Sequence, residues 1–124
     1  MTIRQSAEDY LESILRLREE KGYARSIDIA MSLGITKPSV SVAMKRLREN
    51  GYITMDESNY ITLTPAGSEI ATRIYHRHKV LTQFFVSLGV DVDTAQDDAC
   101  RVEHVISEET FERLGEFVEK YLGE

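Results

Sequence analysis

Three side chains of metal-ligand type stand together late in the chain: Cys100, Glu103 and His104, at i, i+3 and i+4. On a helix that spacing presents a thiol, a carboxylate and an imidazole on one face. Asp9 and Glu12 repeat the i, i+3 interval near the N-terminus, and His78 projects from the middle of a long stretch of helical periodicity. These six groups, spread over three expected helices, form a donor set for one or two divalent ions if the helices pack together. Each also has a plainer reading. Asp9 suits a first helical turn, where a carboxylate complements the dipole, and Glu12 is placed to pair with Arg16 at i+4. Cys100 is read equally as a small buried apolar residue, and His104 as a hydrogen-bonded core histidine. His76, two residues before His78, faces away from it and is read as a surface residue.

The elements that must position these groups are legible from punctuation and period. Apolar residues from Ala7 to Leu17 recur at helical spacing, with Ser6 as an expected N-cap and Gly22 as the stop. Ser26 is expected to cap a short second helix ended by Gly34. Thr36 is expected to cap a third that starts at Lys37-Pro38, runs to Asn50 and is closed by Gly51. Residues 52–55 and 60–64 are β-rich and flank the polar turn 56–59, which predicts a hairpin. Thr64-Pro65 opens a long helix reaching toward Gly89. Asp93 is expected to cap another, running through Ile106, and Ser107-Glu108-Glu109 begins a last one carrying Phe111, Leu114, Phe117 and Leu122. The expected fold class is mainly α: an N-terminal winged helix-turn-helix over residues 1–64, then a long connecting helix and a helical domain over 65–124.

The segment from Ser26 to Leu47 has the grammar of a helix-turn-helix. Ala30 allows close helix contact, Gly34 sits in the turn, and Val40, Met44 and Leu47 make a buried stripe on the second helix. The opposite face carries Ser39, Ser41, Lys45 and Arg48, with Thr36 and Lys37 at the helix start. These are hydroxyls and cations suited to base edges and phosphates. Read alone, such a face is also an ordinary solvated one, and the ordered helix-turn-helix and hairpin favour the DNA reading.

Composition bounds the remaining choices. The chain has 124 residues, 42% apolar and 29% charged, with no apolar run of the roughly 20 residues that cross a bilayer. No secretory signal is evident, and a lone cysteine suits a reducing compartment, so a cytoplasmic protein without a membrane segment is expected. The net charge of −6 conceals an asymmetry. Residues 1–88 hold twelve Lys/Arg against ten Asp/Glu, whereas 89–124 hold three against eleven. A neutral-to-basic half is thus joined to an acidic one with another task.

Glu8 to Ile14, Glu19 to Arg25, Lys37-Pro38-Ser39-Val40-Ser41, Leu63-Thr64-Pro65-Ala66-Gly67, Arg77-His78 and Ala99 to His104 together resemble the diphtheria toxin repressor and manganese transport regulator (DtxR/MntR) family of metal-dependent transcriptional repressors. The resemblance spans essentially the whole chain. It implies a homodimer that binds double-stranded, palindromic operator DNA when Mn²⁺ or Fe²⁺ is bound as corepressor. It further implies control of metal uptake and homeostasis genes, no enzymatic activity and no organic cofactor.

Carried over by position, recognition-helix contacts fall at Thr36, Pro38 and Ser39. With Arg25, Lys37, Ser41, Lys45 and Arg48 these complete the candidate DNA-binding set. Val42 stands where iron-type members have glutamine. Asp9, Glu12 and His78 match the manganese-type ligands, while Cys100 occupies a position that is Glu in manganese regulators and Cys in iron regulators. Glu103 and His104 are common to both. Thr82 and Gln96 replace the Glu and His of the iron-type anchoring site, and an ending at Glu124 fits the short form without an SH3-like domain. The competing expectations are a winged-helix regulator that answers an organic ligand or Cys100 oxidation, and a small metallohydrolase. The latter is disfavoured by the DNA-reading half.

Overall fold

The computed structural model of the chain describes residues 5–122. It contains α1 (Gln5–Lys21), α2 (Ser26–Leu33), α3 (Lys37–Glu49), β1 (Ile53–Met55), β2 (Ile61–Leu63), α4 (Pro65–Ser87), α5 (Val92–Val102) and α6 (Glu108–Tyr121). Two compact units divide at Thr72 and Arg73, within α4.

In the first unit, Leu11, Ile14 and Leu17 from α1 meet Ile29 and Ala30 of α2, Val40, Met44 and Leu47 of α3, and Ile53 and Ile61 of the strands. Burial of each large side chain contributes about 1.5–3 kcal/mol, so these stripes hold the helix-turn-helix together. The strands pair antiparallel with Ile53 opposite Leu63 and Met55 opposite Ile61. Asp56 shapes the turn between them, its Oδ1 accepting from the amides of Ser58 at 2.9 Å and Tyr60 at 3.0 Å. Asn59 takes the left-handed conformation there, with φ of 66°, which asparagine tolerates better than most residues.

Main-chain groups on the outer side of β2 are also used. The Ile61 amide donates to Ala24 O at 2.8 Å, and Arg18 Nη1 donates to Ile61 O at 3.1 Å. At the base of the wing, Thr64 Oγ1 donates to Gly51 O at 2.6 Å and accepts from the Gly67 amide at 3.2 Å. A Cβ on Gly67 would collide with the Tyr52 carbonyl, so the start of α4 seats against the wing only with glycine at that position.

In the second unit, Ile74 and Leu81 of α4, Ala95 and Ala99 of α5 and Val118 of α6 are the buried apolar residues. Phe84 meets Phe117 edge-to-face at 6.1 Å, and Phe117 stacks at a tilt on Tyr121 at 4.8 Å. Phe117 and Tyr121 stay substantially exposed, as do Leu88 and Val105. His76 is exposed as expected and packs edge-to-face on Phe111.

Three expected caps are displaced. Ser6 lies inside α1, which already includes Gln5. Arg25 rather than Ser26 occupies the N-cap of α2, and the capping carboxylate comes from Asp28, whose Oδ2 accepts from the Arg25 amide at 3.2 Å. Asp91 rather than Asp93 caps α5, accepting from the amides of Asp93 and Thr94. Thr36 and Ser107 cap α3 and α6 as read from the sequence.

Candidate metal centre and nucleic-acid interface

The first unit places the candidate DNA-contacting residues on one continuous element and its margin. Thr36 Oγ1 accepts from the Ser39 amide and donates to Ser39 Oγ at 2.9 Å, so two hydroxyls are ordered at the start of α3. Lys37, Pro38, Ser39, Ser41, Lys45 and Arg48 are all exposed, opposite the buried Val40, Met44 and Leu47. Arg25 is exposed just before α2, its guanidinium 5.3 Å from the centroid of the Tyr60 ring. Tyr60 in turn meets Tyr23 edge-to-face at 5.7 Å. A hollow of about 500 Å³ runs between these parts, lined by Arg25, Ser26, Lys37, Ser41, Met55 and Asn59. Two cations, two hydroxyls and the N-terminus of α3 around one hollow suit a phosphate backbone.

The second unit brings four of the six candidate ligands together. His78 is 6% exposed on α4, and its Nδ1 lies 3.0 Å from Glu103 Oε2. Cys100 Sγ is 3.7 Å from the same nitrogen. His104 Nε2 lies 3.4 Å from Glu103 Oε1, with a side chain only 1% exposed. Each oxygen of Glu103 therefore faces an imidazole, and Glu103 itself is 0% exposed. α5 ends at Val102, four residues before the expected end at Ile106. Glu103 is its C-cap and keeps helical angles, so the Cys100–Glu103 interval survives while His104 sits in the following turn.

Burial of a carboxylate costs several kcal/mol unless charge and hydrogen bonds compensate. Here the groups facing the carboxylate are two imidazoles, and with the thiol of Cys100 beside His78 they make the donor set of a divalent transition metal. The ligand atoms of His78, Cys100 and Glu103 lie within 4.8 Å of one another. Bonds of about 2.0–2.3 Å give ligand-to-ligand edges of roughly 3.0–3.7 Å, which the two measured separations match. The residues fit a metal. Cys100 is exposed, which excludes its reading as a buried apolar residue.

Asp9 and Glu12 lie one turn apart on α1 in the first unit, Asp9 half-buried and Glu12 buried. Glu8, beside them on the same helix, is also buried.

Arg77 is the residue the sequence reading missed. Its Nη1 donates to Glu103 O at 3.2 Å and to Ile106 O at 3.0 Å, and its guanidinium rests 5.2 Å from the Phe111 centroid. One helix thus supplies a candidate ligand at His78 and, one residue earlier, the clamp on the backbone that carries Glu103 and His104. Only its position next to His78 marked it.

Residues 2–59 match the N-terminal DNA-binding domain of iron-dependent repressors, and residues 64–121 match their metal-binding and dimerisation domain. The chain is 39% identical over 114 residues to the HTH-type transcriptional regulator MntR of Bacillus pumilus, covering 92% of this chain and 79% of that protein. It is 36% identical over 116 residues to MntR of Bacillus subtilis, covering 94% and 82%. Among solved structures, T. acidophilum IdeR aligns with a TM-score of 0.78 at 27% identity, and the manganese regulator SloR with 0.80 at 28%. The chain accounts for 98% and 96% of itself in these two alignments but spans only 55% of either protein. Among the described residues no helix is long and apolar enough to cross a membrane. With a helix-turn-helix presenting cations, a buried cluster of metal donors and relatives that are regulators rather than enzymes, the chain belongs to the iron-dependent repressor family of metal-dependent, DNA-binding transcriptional regulators.

Proposed function

We propose that the chain acts in the cytoplasm as a homodimeric repressor that binds palindromic operator DNA when Mn²⁺ or Fe²⁺ is bound, and so controls metal uptake and homeostasis genes, with no organic cofactor. The observation that carries the reading is the buried Glu103 carboxylate, set between His78 and His104 with Cys100 beside it. Asp9 and Glu12 are proposed as further ligands on the strength of their chemistry and spacing. The division of labour follows the sequence boundary, with residues 1–64 binding DNA and residues 65–124 supplying the dimer surface and the remaining ligands. Arg25, Thr36, Lys37, Pro38, Ser39, Ser41, Lys45 and Arg48 contact the operator. The exposed Phe117 and Tyr121, with Leu88 and Val86, supply apolar area for a second copy.

A bound divalent ion supplies the positive charge that holds these donors in one arrangement. The chain's residues do the rest. Arg77 holds the backbone of Glu103 in place, and preorganisation of that kind lowers the ordering cost of binding. Ligands drawn from both ends of the sequence give the metal a differential affinity for one arrangement of the chain, and only such a difference shifts a conformational equilibrium. In a dimer, that arrangement is the one that sets two copies of α3 in successive major grooves, about 34 Å apart.

The donor set bears on the metal. Carboxylates favour Mn²⁺, whereas a thiolate raises affinity for Fe²⁺, Co²⁺ or Zn²⁺. Anaerobic mobility-shift titrations with Mn²⁺ and Fe²⁺, on wild type and Cys100→Glu, test the reading. Operator affinity is expected to rise at least tenfold with metal, to fall again with chelator, and to shift toward Mn²⁺ in the variant. Binding that ignores both metals and chelator overturns it. The exposure of Cys100 favours one alternative, regulation by thiol oxidation. That alternative requires peroxide to release DNA without removing metal, and fails if Cys100→Ser is as sensitive as wild type.

A further inference from the structure

α3 turns Val40, Met44 and Leu47 into the core, and all three are buried. Val42 departs from that stripe. A helix advances about 100° per residue, so Val42 lies about 200° from both Val40 and Met44 and points away from the core. It is 54% exposed, the one large hydrophobic residue of α3 left in solvent among the described residues. Within about 60° of it on the helix surface stand Pro38, Ser39, Lys45, Arg46 and, two turns on at the end of the helix, Glu49, all exposed.

A β-branched residue at such a place does nothing for folding. It buries little, and its helix propensity is below that of alanine. Nor does it serve phosphate binding, because it has neither a donor nor an acceptor. The cations around it are suited to the DNA backbone, which leaves Val42 at the centre of the face that meets base edges. Among the groups that base pairs of unmodified DNA display in the major groove, the C5-methyl of thymine is the apolar one.

We infer that Val42 is a specificity-determining residue that packs its methyl groups on the C5-methyl of one thymine in each operator half-site. Its stiff χ1 presents those methyls with little rotamer entropy left to lose. Burial of one methyl is worth about fourfold in affinity per half-site. The inference rests on the operator-binding reading above, and its test separates the two.

Metal-loaded protein first selects duplexes from a random-sequence pool. The selected site is then rebuilt with each thymine in turn replaced by uracil, which removes the methyl and leaves the hydrogen-bonding edge unchanged. Wild type is expected to lose about fourfold at one symmetry-related thymine per half-site. Val42→Ala, altered in both half-sites at once, is expected to bind the unmodified site about 16-fold more weakly and to lose less than wild type to uracil at that step. Its thermal midpoint should not fall below the wild-type value, since the side chain is outside the core and alanine is the better helix former. Uracil penalties that are the same in Val42→Ala as in wild type, or unchanged affinity of the variant for the unmodified site, overturn the inference and leave DNA binding intact. A pool that yields no preferred sequence overturns both.

Discussion

The two units place their chemistry at opposite depths. In the first, the groups suited to DNA are exposed, and the fold rests on a separate set of side chains, so Lys45 and Arg48 share α3 with Val40, Met44 and Leu47 without sharing their surroundings. In the second, the chemistry is inside the packing: Glu103 and His78 are buried like the aliphatic residues of that unit. Recognition and folding are thus separable in one unit and joined in the other. A DNA-facing side chain can change without disturbing stability, whereas a ligand cannot be altered without changing what holds its helices together.

That contrast is open to test by substitutions of decreasing effect. Glu103→Gln keeps the shape but removes the charge between two imidazoles, and is expected to lower metal affinity by at least about 100-fold, the upper range for removing even a group that only supports a ligand. It should also remove metal-dependent operator binding. Calorimetric titration that found wild-type affinity would end the idea that the buried carboxylate anchors the centre. Arg77→Ala touches no ligand atom, yet should cost about 10- to 100-fold in metal affinity because the backbone carrying Glu103 and His104 is no longer clamped. Arg77→Lys should recover part of that affinity, and equal deficits in both variants would mean that the guanidinium's paired hydrogen bonds are not what matters.

On the exposed side, Lys45→Ala should weaken DNA binding across all sequences. It should reduce the slope of log affinity against log salt by about 0.9 for each phosphate that the lysine neutralises, with no change in the urea midpoint. A shifted midpoint would show that folding and recognition are not separable there. Smallest is Thr36→Ala, expected to cost about 1 kcal/mol of stability by removing the α3 cap. Here a DNA-facing side chain also supports its own helix.

Much of this architecture can be read from the chain itself, for reasons that vary by residue. Helix ends at Gly22, Gly34, Gly51 and Gly89 were legible because each takes a positive φ that glycine adopts freely. The cap of α5 was misplaced because Asp91 and Asp93 are equally good caps, and only the three-dimensional path of the chain chooses between them. At α2 the capping oxygen comes from three residues inside the helix, so a serine in the right place was mistaken for the cap. The Cys100, Glu103 and His104 grouping was visible because its spacing is local. The partnership of Glu103 with His78 spans 25 residues, and no spacing rule foretells it. The roles of Arg77 and Arg18 were not legible for a different reason: both bind main-chain carbonyls, which carry no residue type to recognise.

The use of Arg18 and Ala24 on the outer side of β2 has a consequence for assembly. A short hairpin ordinarily offers unpaired main-chain groups to any passing strand, an invitation to aggregation. At Ile61 both outward groups are already taken, the amide by Ala24 and the carbonyl by Arg18. At that position the wing therefore cannot template a foreign strand, and the same sealing leaves its face free for a nucleic acid while withholding its edge from other polypeptides.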